Sequence, residues 1–263
     1  MNQVRTIIDK EWAEVFKNRT VMLTTLLLPL LFAIMPLVML RAMGGSLGDI
    51  PAESAGIPTG ALAICKGMNG TECMQAYMMG QFMIMFLLMP VMIPVTIAAY
   101  SIVGEKTTRS LEPLLATPIT TAQLLLGKAL AAVIPAVIAG WLSFGIFALG
   151  TYLIGLSPVV RAYLLSPSWL LAILILGPIL ALISVNFALW VSSRVSDPRV
   201  AEQISAVIIL PIMLLGGALM AGWVVMNLVS VLMTILAALL IAIGLSYLGV
   251  LIFERETILT RWK

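Results

Sequence analysis

The chain has 263 residues, 61% hydrophobic and 10% charged, with a formal net charge of +3 and no histidine. A soluble domain carries roughly 25% charged residues, so this chain cannot wet the surface of a globule its size, and lipid must act as part of its solvent. The missing histidine removes the commonest general base and neutral-pH metal ligand. The small net charge gives no reason to expect nucleic acid, and the two cysteines, Cys65 and Cys73, make no zinc ligand set.

Residues 1–20 read as an amphipathic helix. Val4, Ile7, Ile8, Trp12, Val15 and Phe16 recur at three- and four-residue steps, while Arg5, Asp9, Lys10, Glu14 and Lys17 fall mostly on the other side. Such a helix suits the membrane interface, anchored by Trp12 and its basic neighbours; the alternative is a solvated helix packed on a partner. The segment has no apolar core or small-residue cleavage site of the signal-peptide kind.

Residues 21–263 read as an all-α membrane domain. A helix needs about 20 apolar residues to cross a bilayer, and six stretches qualify: 21–40, 76–103, 124–154, 169–191, 204–222 and 228–253. The loop 41–75 is rich in Gly, Pro and Ser. Within it Cys65 and Cys73 could close a small disulfide loop if that side is oxidising, or remain two thiols, and Asn69-Gly70-Thr71 fits a glycosylation triplet.

The basic residues give the orientation. With the N-terminus inside, the inner segments hold Arg5, Lys10, Lys17, Arg19, Lys106, Arg109, Lys128, Arg194, Arg199, Arg255, Arg261 and Lys263, and the outer ones Arg41, Lys66 and Arg161. Cytoplasmic loops are enriched in Lys and Arg, so both termini are expected in the cytoplasm, with the protein in the cell membrane.

No Asp or Glu lies well inside a span, and Lys128, near a cytoplasmic end, can snorkel. Ion-coupled carriers usually keep a charge at membrane depth, so that class is disfavoured. Without HExxH or a Walker A loop, the chain is not expected to be an enzyme by itself or to bind a cofactor. Uphill transport would draw energy from another subunit.

The inner loop 104–123 is where such a subunit could attach. Leu111, Leu114 and Leu115 share helical spacing beside Glu105, Lys106, Arg109 and Glu112, before Pro118 turns the chain into the next span. A short amphipathic helix of this kind fits a groove on a partner or rests on lipid headgroups. Separately, Met68, Met74, Met78, Met79, Met83, Met85, Met89 and Met92 crowd the outer loop and second span; they are either soft ligands for Cu(I) or adaptable core filler.

The run GEKTTRSLEPLLATPITTAQLLLGK resembles the signature of ABC-2-type permeases, membrane subunits of ATP-binding-cassette transporters. Gly104, Glu105, Lys106, Leu111, Glu112, Leu114, Leu115, Thr117, Pro118, Leu126, Gly127 and Lys128 match it. KEWAEVFKNRT is similar to the family's N-terminal interfacial helix, and 194–203 resembles its second cytoplasmic turn. The resemblance implies a separate cytoplasmic ATPase that holds ATP and Mg, a dimer of permeases, and a coupling helix after Glu105. It also implies that the link between spans five and six re-enters the membrane from outside; Gly216, Gly217, Gly222 and the short link 223–227 are compatible with that. Unlike some relatives, the chain has no large outer domain. The expectation is an exporter permease; the alternatives are an ion-coupled or facilitative carrier, and a non-transporting scaffold or sensor that docks an ATPase.

Overall fold

A computed structural model describes residues 2–17, 19–46, 57–65, 67–107, 119–223 and 226–252. The described residues are helical, with no strand. Helix α1 is Asn2–Lys17 and α2 is Arg19–Ser46. A 3-10 turn, Thr59–Cys65, leads to α3, Gly70–Thr107. Helix α4 is Thr121–Leu153, followed by two short helices, α5 Pro158–Leu164 and α6 Pro167–Leu171. A π turn at Ala172–Leu176 runs into α7, Gly177–Arg194. Helix α8, Pro198–Ser205, continues through a 3-10 turn into α9, Leu210–Met220, and α10 is Leu228–Ile252.

Five stretches among the described residues are long and apolar enough to cross a membrane: Gly70–Glu105, Thr121–Leu153, Pro158–Arg194, Pro198–Met220 and Leu228–Val250. A shorter apolar stretch, Leu27–Met43, lies inside α2. Several of these stretches extend beyond the apolar segments read from the sequence, to Gly70, Pro158 and Pro198 at their starts. The stretch Pro158–Arg194 begins with two extra short helices, α5 and α6, and Pro198–Met220 includes the polar helix α8.

Local chemistry sets those ends. Helix α3 starts at a reciprocal cap: Asn69 Oδ1 accepts from the Glu72 amide at 2.8 Å, and Glu72 Oε2 accepts from the Asn69 amide at 3.1 Å. Thr120 and Gln123 form the same box at the start of α4. Helices α5 and α8 begin with Pro at the first turn behind Ser157 and Asp197 caps, where a missing amide costs nothing. Helix α9 ends in a Schellman turn. Gly222, at φ +71°, occupies the left-handed position, and the Trp223 amide reaches back to the Ala218 carbonyl at 2.9 Å. The neighbouring Met220 carbonyl accepts from the Tyr77 phenol of α3 at 2.9 Å. Asn227 then caps α10, its Oδ1 accepting from the Ser230 amide at 2.8 Å.

Helix α3 is the axis of the bundle, packed against α2, α4, α7 and α8. Its 38 residues make a rod of about 57 Å, nearly twice a ~30 Å hydrocarbon core. Towards its start, Met79, Met83, Phe86 and Met89 pack with Phe144, Phe147, Val160 and Trp169. Towards its end, Ala98 and Ile102 meet Ala129, Ala132, Ala181, Val185 and Ala188. Small side chains here let backbones approach closely, as membrane helix packing requires. Helix α10 joins α7 in the same way, through Ala238 and Ala242 against Leu176 and Ile183. Asn186 Nδ2 adds a 3.0 Å bond to Ser246 Oγ across that contact.

The π turn has a specific cause. Gly177 donates to the carbonyl of Ala172, five residues back. The next π-type donor, to Ile173, would be residue 178, a proline with no amide. Trp141 Nε1 of α4 fills the gap, donating to the Ile173 carbonyl at 3.3 Å. Pro90 of α3 lies against this crossing, 3.5 Å from where a side chain on Gly177 would begin.

Candidate functional site

The loop 104–123 falls mostly outside the described residues. Arg109, Leu111, Glu112, Leu114, Leu115 and Pro118 lie beyond them, as does the side chain of Lys106. Glu105 is described, and it marks a site at the root of the loop, where α1, α3 and α4 converge.

Gly127 makes the convergence possible. A Cβ there would sit 2.8 Å from Cγ2 of Ile7, closer than packed carbons tolerate, so only glycine lets α1 lie against α4 at this point. Trp12 fixes the docking by donating from Nε1 to the Ala131 carbonyl at 3.0 Å.

The adjoining residue, Lys128, does not snorkel. Its side chain is 1% exposed and its ammonium points into the contact. It donates to Glu11 Oε1 at 2.7 Å and to Ser101 Oγ at 2.8 Å, and lies 2.9 Å from Glu105 Oε1. Ser101 in turn donates to Glu11 Oε2 at 3.1 Å. Lys10, half-buried, closes the ring with a 2.5 Å bond to Glu105 Oε1. The snorkelling expectation fails because α1 covers the end of α4 and brings Glu11, which together with Glu105 of α3 pairs the ammonium inside the contact.

Two carboxylates and two ammonium groups balance in formal charge. Burial pulls the Lys10 ammonium down, but the Glu105 bond and the charges of Glu105, Glu11 and Glu14 outweigh it and hold the group above 10.5. Lys10 therefore stays charged at neutral pH, and the cluster sets opposite charges against one another as a structural lock.

One turn before Glu105, α3 carries a second tie. Ser192 Oγ of α7 donates to the Ala99 carbonyl at 2.7 Å and accepts from the Val103 amide at 3.1 Å. The hydroxyl thus sits on one rung of the α3 ladder, an insertion of the sort that bends helices. Helices α1, α4 and α7 all grip the same end of α3.

Glu11 is the member that sequence reading passes over. It stands four residues after Ile7, on the apolar side of α1, and a carboxylate there signals a buried partner. Glu105 is 5% exposed and faces inward. At the other end of the bundle, Cys65 and Cys73 are joined by a disulfide. Met79, Met83 and Met89 are buried in the core, while Met92 is exposed.

A family model described as ABC-2 family transporter protein matches residues 5–232. No curated protein matches the chain.

Proposed function

From the premise that the chain belongs to the ABC-2 family of transporter proteins, we propose that it is the membrane-spanning permease subunit of an ATP-binding-cassette exporter. A separate cytoplasmic ATPase holds ATP and Mg and drives it. The working unit pairs two permeases, as two copies or two related chains, above two ATPases. Six spans, with residues 21–40 as the first, place both termini in the cytoplasm of a cell membrane, and α1 lies along the membrane surface.

The observation that carries this reading is the charge lock at the root of the loop 104–123. Force applied to that loop enters α3 at Glu105, and the lock passes it to α1 and α4 at once. In this scheme Glu105 is a positioning residue that holds the root of the coupling helix. Lys106, Arg109, Leu111, Glu112, Leu114 and Leu115 form the face offered to the ATPase, ahead of the Pro118 turn. Buried, balanced charges suit a rigid lever that shifts between two packings better than a hinge.

The test is reconstitution of the chain with its co-purifying ATPase in proteoliposomes. Cargo-dependent ATP hydrolysis should appear only with both subunits, and Leu114→Asp should abolish it while the permease still elutes as a folded particle. Unchanged coupling in that variant, or an ATPase indifferent to the permease, would overturn the proposal.

A further inference from the structure

Helices α9 and α10 are consecutive and antiparallel yet scarcely touch. Between them lies a cleft open to the surroundings, with a volume of about 40 Å³, room for a few methylene groups. Ile212, Leu215 and Leu219 line it from α9, and Met226, Ser230 and Thr234 from α10. These positions recur every three or four residues on each helix, so the cleft is a slot running along both axes. From Met226 to Thr234 it extends about 12 Å. Ile84 and Leu87 of α3 and Leu176 of the π turn close its back.

The slot contains no charge. Its two hydroxyls spend their protons on their own helix: Ser230 Oγ donates to the Asn227 carbonyl at 2.9 Å, and Thr234 Oγ1 to the Ser230 carbonyl at 2.8 Å. The lining therefore presents hydrocarbon to whatever enters. Just above its mouth stands Trp223, 84% exposed. An exposed Trp at the end of an apolar helix marks the level of lipid headgroups. Below that level the surroundings are acyl chains, and a narrow, uncharged slot matches a few of their methylene groups in chemistry.

We propose that the slot between α9 and α10 takes a short stretch of the hydrocarbon chain of a lipid in the leaflet on the disulfide-bearing side, with its headgroup at the level of Trp223 and Asn227. This rests on the membrane-spanning reading and not on the ATPase.

The test uses the full chain in nanodiscs of phosphatidylcholine carrying a photoactivatable group in one acyl chain, with labelled peptides mapped by mass spectrometry. Label should concentrate on 212–219 and 226–234 above its level at Leu142 and Leu149, which are 62% and 68% exposed on α4. Leu215→Phe, which fills the slot, should lower that label about tenfold, the scale expected for loss of a few buried methylene contacts. Leu240→Phe, on another face of α10, should leave it unchanged. The wild-type map alone decides the first point if Leu215→Phe does not fold. Label spread evenly over exposed helices would overturn the proposal. So would intermolecular disulfides through Leu215→Cys without label, which would show a second copy in the slot. No ATPase is present, so failure of the slot and failure of the transporter reading are separate results.

Discussion

Lys128 Nζ and Glu11 Oε1 stand 2.7 Å apart although 117 residues separate them in the chain. Removing one partner from a buried ion pair typically costs about 3–5 kcal/mol, because the other charge stays buried. Lys128→Met is therefore expected to lower unfolding stability in detergent by that order. Adding Glu11→Leu should recover part of the loss, with a coupling of at least about 1 kcal/mol in the double-mutant cycle. Additive effects would show that the pair does not act as a unit.

Gly127→Ala places a methyl group against Ile7, a β-branched side chain with little freedom to turn away. Overpacking of this kind costs about 1–3 kcal/mol. The expected consequence is partial release of α1, read as faster proteolysis near Lys17. Ile7→Ala in the same chain should restore protection, which a general loss of folding would not allow.

Trp141→Phe keeps the ring and removes the donor to the Ile173 carbonyl. An unsatisfied buried acceptor costs about 1–3 kcal/mol. Thermal unfolding should shift down accordingly, and amide exchange in 172–178 should quicken while that in α10 stays unchanged. Equal exchange throughout would mean that the π turn does not depend on the indole.

The contribution of Lys10 to the charge lock should not change with pH around neutrality. Lys10 is held above 10.5, so its contribution is complete below that value and lost only as pH rises through the higher folded one. Protection of α1 from protease should be flat between about pH 6 and pH 9 and fall only in stronger alkali. A transition near neutrality would contradict the assignment.

Tyr77→Phe should leave the Met220 carbonyl without its phenol donor and loosen the turn at Gly222. The expected cost is about 1 kcal/mol, visible as increased exchange at Trp223 rather than as global unfolding.

Most of the helical plan is legible in the sequence because apolar length alone reveals a span. What hydropathy cannot show is how a span is interrupted. The π turn depends on Pro178 together with an indole from another helix, and neither signals the bulge without the other. The division between α9 and α10 is legible in Gly222 and Asn227, since a left-handed glycine and a side-chain cap are local devices. The candidate site is half legible: Gly127 and Lys128 stand out as a motif, but the reasons for them, Ile7 and Glu11, lie more than a hundred residues upstream. Charge near a span end is compatible with both water and a buried partner, and only the position of α1 decides between them.

The bond between Cys65 and Cys73 immediately precedes the Tyr77 contact and belongs to the chemistry of one compartment. Thiols so joined persist where reductants are scarce, whereas the far tip of the same rod is a knot of amines and carboxylates indifferent to redox conditions. On the proposed topology biogenesis has two independent requirements: export of the short cysteine hairpin to an oxidant, and docking of the leading helix at the opposite face. A host deficient in thiol oxidation should yield chains correctly joined at one tip of α3 and unsealed at the other.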